Sequence, residues 1–497
     1  GPVLQQLEHT NSFDVSVNDC FKPVSVFWDR INRPEQIISS LQEAMRVLTN
    51  PEKTGAVTIC LPQDVQAEAY NYPESFFQKK VWSIERNVPS ENSLAKAASL
   101  IKKSSRPLII AGGGIIYSDA ENMLSAFCKN SGIPITETQA GKGSLPWDHK
   151  QNLGAIGVTG TNAANLIAQK ADLVICIGSR LSDFTTASKT LFNNKDVKFI
   201  SINVSSFDAY KHSSLSLVGD AKSCVEDLNN RLNSQGFTVS QKYEKEIINL
   251  KEAWDKEVDR IFDLNNEPKI SQGEVIGIVS NFMEKEDTVV GAAGSLPGDM
   301  HKLWRTKNGS QYHMEYGYSC MGYEIAGGLG IRMAKKEGDV FVMVGDGSYL
   351  MMNSEIVTAV QEDQKLIIIL VNNHGFGSIN NLSLSLGSKG FGNQYKKREI
   401  NTNDYTGDRI HVDYVAHAKS MGIDAVRVQE KNEFENALNK ARKNTNSILI
   451  EVLVDKNIRV PGYGAWWDVP VAEVSKSEKV KEVRVQYDKQ IKKERDF

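Results

Sequence analysis

Cysteine is scarce and scattered: six residues in 497, at positions 20, 60, 128, 176, 224 and 320, with no Cys-x-x-Cys pair and no histidine at zinc-ligand spacing. That excludes a thiolate zinc module and a disulfide framework. Cys60 and Cys176 sit inside aliphatic runs and read as small buried hydrophobes, which suits a reducing cytoplasm. No apolar run approaches the roughly 18–20 residues of a membrane helix, and no secretory signal opens the chain. Neither sign of charge dominates: 58 Lys and Arg face 61 Asp and Glu, a net charge of −3. Nucleic acid and acidic membranes are therefore not expected partners. Low-complexity tracts, short repeats and a Gly-x-Gly-x-x-Gly fingerprint are also missing. The Gly112-Gly113-Gly114 turn thus reads as tight backbone packing rather than a nucleotide site.

What is present is alternation. Short aliphatic runs separated by helical patterns predict α/β architecture with doubly wound, mostly parallel sheets. The length predicts more than one domain, and the runs fall into three blocks. Residues 1–75 hold one helical pattern (33–50) and one strand, "GAVTICLPQDV" (55–65), and read as the closing part of a domain. Residues 90–235 carry four predicted strands, at 106–116, 133–138, 171–184 and 198–205. After a charged, helical connector (241–268), residues 270–475 carry five more, in "DTVVGAAGSLPGD", "DVFVMVGDGS", "KLIIILVNN", "DAVRVQE" and "SILIEVLVD". The tail, 476–497, is a charge-rich run that reads as a solvated helix or a frayed end.

The chemistry concentrates in "GDGSYLMMNSEIVTAVQEDQKLIIILVNN" (345–373). In a parallel sheet, ligands gather at the carboxyl ends of strands. Asp346 follows "VFVMV" and Asn373 follows "LIIILV", so both are expected at that edge. A carboxylate, an amide oxygen and a nearby carbonyl make a hard, all-oxygen site of the kind Mg²⁺ prefers. Gly345 and Gly347 would let the backbone approach a phosphate, and a helix from Ser348 would present N–H groups to it.

Strand, Gly-Asp-Gly, helix, strand, Asn-Asn resembles the magnesium-diphosphate motif of thiamine-diphosphate enzymes, the acetolactate synthase-like family. The resemblance covers nearly the whole chain. It implies three domains of the α/β class, with the first truncated on its N-terminal side, and thiamine diphosphate and Mg²⁺ as cofactors. It assigns the metal to Asp346, Asn373 and the backbone oxygen of Gly375. "GAAGSLPGD" (291–299) matches a diphosphate loop, placing Gly294, Ser295 and Leu296 nearest the phosphates. "GYSCMGYEIAGGLGIRMA" (317–334) matches the segment that holds the cofactor bent, with Met321 as the wedge and the Ser319 carbonyl facing the aminopyrimidine.

Within the family, "FWDRINRPEQI", "HMEYGYSCMGYEIAGGLG", "VNNHGFGSI" and "GYGAWWDVPVAEVS" resemble the branch that opens a cyclic 1,2-diketone with water during myo-inositol breakdown. The resemblance implies cleavage between the two carbonyls, with the cofactor as electron sink. Acetolactate synthases and 2-oxo-acid decarboxylases share the cofactor residues but differ in the second and fourth of those segments. A non-catalytic cofactor binder is the alternative outside enzymes. His374, beside Asn373, is the candidate proton donor, with His301 and His313 behind it. Trp466, Trp467 and Asp468 are candidates for a closing segment. The family's activating glutamate has no match in residues 1–75, so it is expected upstream of residue 1, leaving this chain a weak binder and slow catalyst by itself. A homodimer or homotetramer with active sites between subunits is implied.

Overall fold

The computed structural model describes residues 17–495. The opening of the 1–75 block and the last two residues of the charged tail lie outside the described residues. Fourteen strands form three sheets among the described residues, and every pairing between them is parallel.

The first sheet has two strands, β1 (Phe27–Arg30) and β2 (Val57–Cys60), joined by the helix Ile37–Leu48. The second has six: β3 (Pro107–Ala111), β4 (Ile135–Glu137), β5 (Asn152–Ala155), β6 (Leu173–Ile177), β7 (Lys198–Asn203) and β8 (Leu215–Val218). Its spatial order, β5-β4-β3-β6-β7-β8, is the doubly wound arrangement. β3 and β6 are buried at every position, as expected for strands covered on both faces. Here the Gly112–Gly114 turn serves packing. A Cβ on Gly112 would lie 2.2 Å from the Gly178 carbonyl oxygen, so the turns after β3 and β6 close only without side chains.

The third sheet contains β9 (Thr288–Gly291), β10 (Tyr312–Met314), β11 (Val340–Gly345), β12 (Ile367–Asn372), β13 (Asp424–Val428) and β14 (Ile448–Leu453), in the order β10-β9-β11-β12-β14-β13. The chain moves outward one way from β9 to β10 and the other way from β11 onward. The switch point therefore lies between β9 and β11, where side-by-side loops diverge and leave a crevice. The loop after β9 is "GAAGS" and the loop after β11 is "GDG".

The charged connector is a helix, Gln241–Phe262, amphipathic enough to bury Tyr243, Ile247, Trp254, Val258, Ile261 and Phe262. The tail forms the helix Glu478–Ile491, which buries no residue. Among the described residues no helix is long and apolar enough to cross a membrane.

Candidate active site

Two loops and one strand end converge at the switch point. After β9, Gly294 adopts φ +99°, a conformation that favours glycine, and releases the chain into the helix Ser295–Leu303. Ser295 is half-buried and faces a cleft, whereas Leu296 is buried in the core, leaving its backbone as the group available to a ligand. After β11 the helix begins at Asp346 rather than Ser348 and runs only to Met351. The expectation of a helix opening at Ser348 is thus corrected: the acid itself occupies the first turn, directly beyond Gly345.

Asp346 is 1% exposed. Its Oδ2 accepts the Gly375 N–H at 2.8 Å, while its Oδ1 is buried with no partner. The Asn373 side-chain oxygen is likewise buried and unpartnered. Two orphaned buried oxygens on adjacent strand ends are costly, each by about 1–3 kcal/mol, unless something arrives to use them. Burial pushes the Asp346 carboxyl up to about 7, against the backbone N–H groups of Gly375, Asn373, Asp346 and Gly347 that hold it down. Gly375 completes the corner at φ +146°. A Cβ there would lie 2.5 Å from the Asn393 carbonyl oxygen. Among the described residues no cluster of three His, Cys, Asp or Glu could hold a metal. The donor set here is one carboxylate, one amide and the backbone, hard oxygens suited to Mg²⁺.

Ser295, Asn373, His374 and Gly375 line one cleft of about 260 Å³, together with Asp299, Gln394, Lys456 and Arg459. His374 has φ +65° and is half-buried. Burial, reinforced by Arg409, Lys269, His411 and Lys456, pushes its pKa down to about 4, so the ring is a neutral imidazole near pH 7. The expected proton donor is thereby refined: in this form it can give up only the weakly acidic N–H of a neutral ring.

Ser319 and Met321 lie outside that lining. Ser319 is exposed at φ +54° and Met321 is half-buried. Their segment is nevertheless tied to the cleft floor. The Gly322 N–H donates to Ser348 Oγ (2.8 Å) and to Glu324 Oε2 (3.1 Å), and the Ser348 hydroxyl points to the Glu324 carboxylate (2.8 and 2.7 Å). Ser348 thus spends its side chain within the protein.

Comparison with known proteins agrees with this geometry. The family model described as thiamine pyrophosphate enzyme, central domain, matches residues 94–228, and the C-terminal TPP binding domain model matches residues 292–452. The chain is 46% identical over 503 residues to a 3D-(3,5/4)-trihydroxycyclohexane-1,2-dione hydrolase of Bacillus thuringiensis (strain Al Hakam), covering 96% of this chain and 78% of the relative. Similar proteins of that name from Bacillus anthracis and Clostridium tetani (strain Massachusetts / E88) are 45% and 43% identical over the same shares. The chain belongs to the trihydroxycyclohexanedione hydrolase family of thiamine pyrophosphate enzymes.

In a thiamine pyrophosphate enzyme the remaining sequence candidates must be weighed by their surroundings. His301 is buried, with Nε2 3.0 Å from the Glu137 carbonyl oxygen and Nδ1 2.9 Å from Thr159 Oγ1. Both nitrogens are spent on the neighbouring sheet. His313 Nε2 pairs with the Tyr323 hydroxyl at 2.7 Å under a stacked ring. Trp467 donates to Asp183 at 2.7 Å and packs on Phe184, Trp466 packs on Tyr487, and the Asp468 N–H donates to Ser188. These three fasten the C-terminal segment to the second sheet and the tail helix.

Sequence reading overlooked several residues. Glu324, Lys456 and Arg459 stand in no motif or periodic pattern that singles them out. Tyr395 lies in a loop without periodicity, yet its buried hydroxyl has no partner and sits 3.4 Å from where a Gly347 Cβ would be. Only the fold brings it beside the Gly-Asp-Gly turn.

Proposed function

We propose that this enzyme hydrolyses 3D-(3,5/4)-trihydroxycyclohexane-1,2-dione to 5-deoxy-glucuronate, using thiamine diphosphate held by Mg²⁺. The relatives' shared activity supports the substrate. The observation that carries the cofactor site is the pair of orphaned buried oxygens, Asp346 Oδ1 and Asn373 Oδ1. With the Gly375 carbonyl they would hold the metal, and Gly294, Ser295 and the Leu296 backbone would receive the diphosphate. Gly345 and Gly347 leave room for it, and Ser348 braces the turn from behind. Ser319 and Met321 would support the rest of the cofactor. Thiamine diphosphate, when bound, supplies a nucleophilic carbon and an electron sink for breaking the bond between the two carbonyls. His374, neutral and at the cleft wall, would orient water or a substrate hydroxyl and relay a proton. The cationic side chains of Lys456 and Arg459 would favour the anionic ligands and the carboxylate product. The six free cysteines suit a cytoplasmic enzyme, and a homodimer or homotetramer with shared active sites is part of the reading.

Calorimetry tests it by titrating thiamine diphosphate, with and without Mg²⁺, into the protein and its Asp346→Ala variant. Wild type should bind in a magnesium-dependent way, and the variant should lose about 100-fold or more in affinity. A chain extended to its relatives' length should in addition release the carboxylate from the dione. Magnesium-independent or absent binding would refute the cofactor site; binding without dione hydrolysis by the extended chain would refute the substrate.

A further inference from the structure

Glu324 is an enclosed acid behind the cleft that the proposed chemistry does not use. It is 1% exposed and opens the helix Tyr323–Ala334. A buried carboxylate needs several donors to be tolerated, and this one draws its hydrogen bonds from two separate chain segments. The Ser348 hydroxyl comes from the turn after β11. The Gly322 N–H comes from the segment carrying Ser319 and Met321. The loop after β9 contributes as well, since the backbone N–H of Ala293 is among the groups that hold the carboxyl's pKa down against burial. Gly322 also donates to Ser348 Oγ, which closes a three-membered polar ring of Glu324, Ser348 and Gly322. Gly322 is held at φ +92°, and a Cβ there would lie 3.0 Å from the Met352 side chain just beyond the turn helix, so that side chain packs against the Gly322 backbone.

We infer that Glu324 is a positioning residue that couples the diphosphate floor to the segment 319–322, so that filling the floor orders the support for the other half of the cofactor. The inference rests on the cofactor reading above and deepens it. Asp346–Ser348 lies buried in the turn helix, whereas Ser319 is exposed and the Ser319 and Gly322 conformations are left-handed. A single carboxylate bonded to both Ser348 and Gly322 makes the positions of their segments interdependent. A ligand that fixes Asp346–Ser348 and Gly294–Ser295 then also restrains Gly322, although it touches nothing there.

The test uses magnesium pyrophosphate, which can occupy the floor but cannot reach residues 319–322. Amide hydrogen exchange is followed in the peptide 315–322 with and without this probe, in wild type, Glu324→Gln and the milder Glu324→Asp, which keeps the charge but draws the carboxylate back from its donors. Gln keeps the size of the side chain but offers an NH₂ where two acceptor oxygens are needed. In wild type the probe should slow exchange at 315–322 by at least about fivefold, a typical coupling between linked sites. Both variants should still bind the probe, by calorimetry, within about threefold of wild type while losing most of the slowing, since a partner acting through others tunes rather than makes a site. Slowing that persists in both variants would overturn the inference. So would a parallel loss of probe binding and thermal stability in both, which marks a purely structural acid. If wild type itself shows no magnesium-dependent binding of pyrophosphate or thiamine diphosphate, the cofactor reading fails first.

Discussion

Two neighbouring asparagines illustrate what a single position can decide. Successive residues at a strand end point to opposite sides, and Asn372 and Asn373 accordingly have different partners. Asn372 is buried, donates to Glu451 at 2.7 Å and accepts the His374 N–H at 3.0 Å. Asn373 keeps its oxygen unpartnered. Asn372→Ala should therefore destabilise the fold by about 1–3 kcal/mol, because it leaves a buried carboxylate short of a donor. Asn373→Ala should leave unfolding by urea nearly unchanged yet abolish magnesium-dependent cofactor binding. Finding the two losses exchanged would reverse the assignment. The residue types and their edge position were readable from "LVNN", and so was the candidate metal ligand. The division of labour was not, since Glu451 lies 79 positions away from Asn372. Tyr395 and Glu324 escaped notice for the same reason: their neighbours are distant in sequence, and neither belongs to a periodic pattern.

At the scale of elements, legibility followed burial. β3, β6, β11, β12 and β14 are aliphatic runs covered on both faces, and their composition alone marks them. β1 "FWDR", β5 "NLGA", β8 "LSLV" and β10 "YHM" are short and mixed, and they were not anticipated. Such segments become strands because a neighbour offers a ladder, which is tertiary rather than local information. Strand starts are also held from outside the sheet. Asp287, just before β9, is fully buried and bidentate to Arg442 (2.9 and 2.7 Å), at the end of the helix Lys431–Lys443, and it accepts the N–H groups of Asp339 and Glu284. Burial pushes this carboxyl up, but Arg442 and the two N–H groups outweigh it and leave it below its ordinary value. Its contribution is present above the unfolded-state pKa of about 4 and is lost as pH falls through the lower folded value. Asp287→Asn should cost about 1–3 kcal/mol at pH 7, because it removes the buried charge that the half-buried Arg442 grips in bidentate fashion and leaves that guanidinium only Asp339 and the Phe282 carbonyl. Denaturant unfolding at pH 7 measures that cost directly. A cost below about 1 kcal/mol would mean that Arg442 behaves as an exposed ion pair.

At the scale of the whole molecule, the question is what aims the diphosphate loop. The helix Ser295–Leu303 that follows it belongs to the third sheet but is gripped by the second. Gln139 donates to the Pro297 carbonyl at 2.8 Å and accepts the Tyr312 hydroxyl at 2.9 Å, and His301 reaches both Glu137 and Thr159. A carbonyl can only accept, so Nε2 carries the proton and Nδ1 accepts from Thr159. An imidazolium would bury a charge beside Lys142. Burial first, then Lys142, accordingly push the His301 pKa down to about 3. The sign of the pH dependence follows. Between about 6.5 and 3 the unfolded chain binds a proton that the folded one refuses, so stability declines as pH falls through that window and is fully present above it. The part of this window above about pH 4 lies clear of the one assigned to Asp287, which keeps the two effects separable there. His301→Gln has no titrating ring and should unfold with a flatter pH dependence between 6.5 and 4.5, although it is less stable than wild type at pH 7. Because His301 and Ser295 share one helix, the same loosening should reach the cleft. Magnesium-dependent binding should weaken in the variant at pH 7 even though residue 301 touches no part of the proposed cofactor site. A variant with wild-type affinity and unchanged pH dependence would show that the second sheet does not aim the loop.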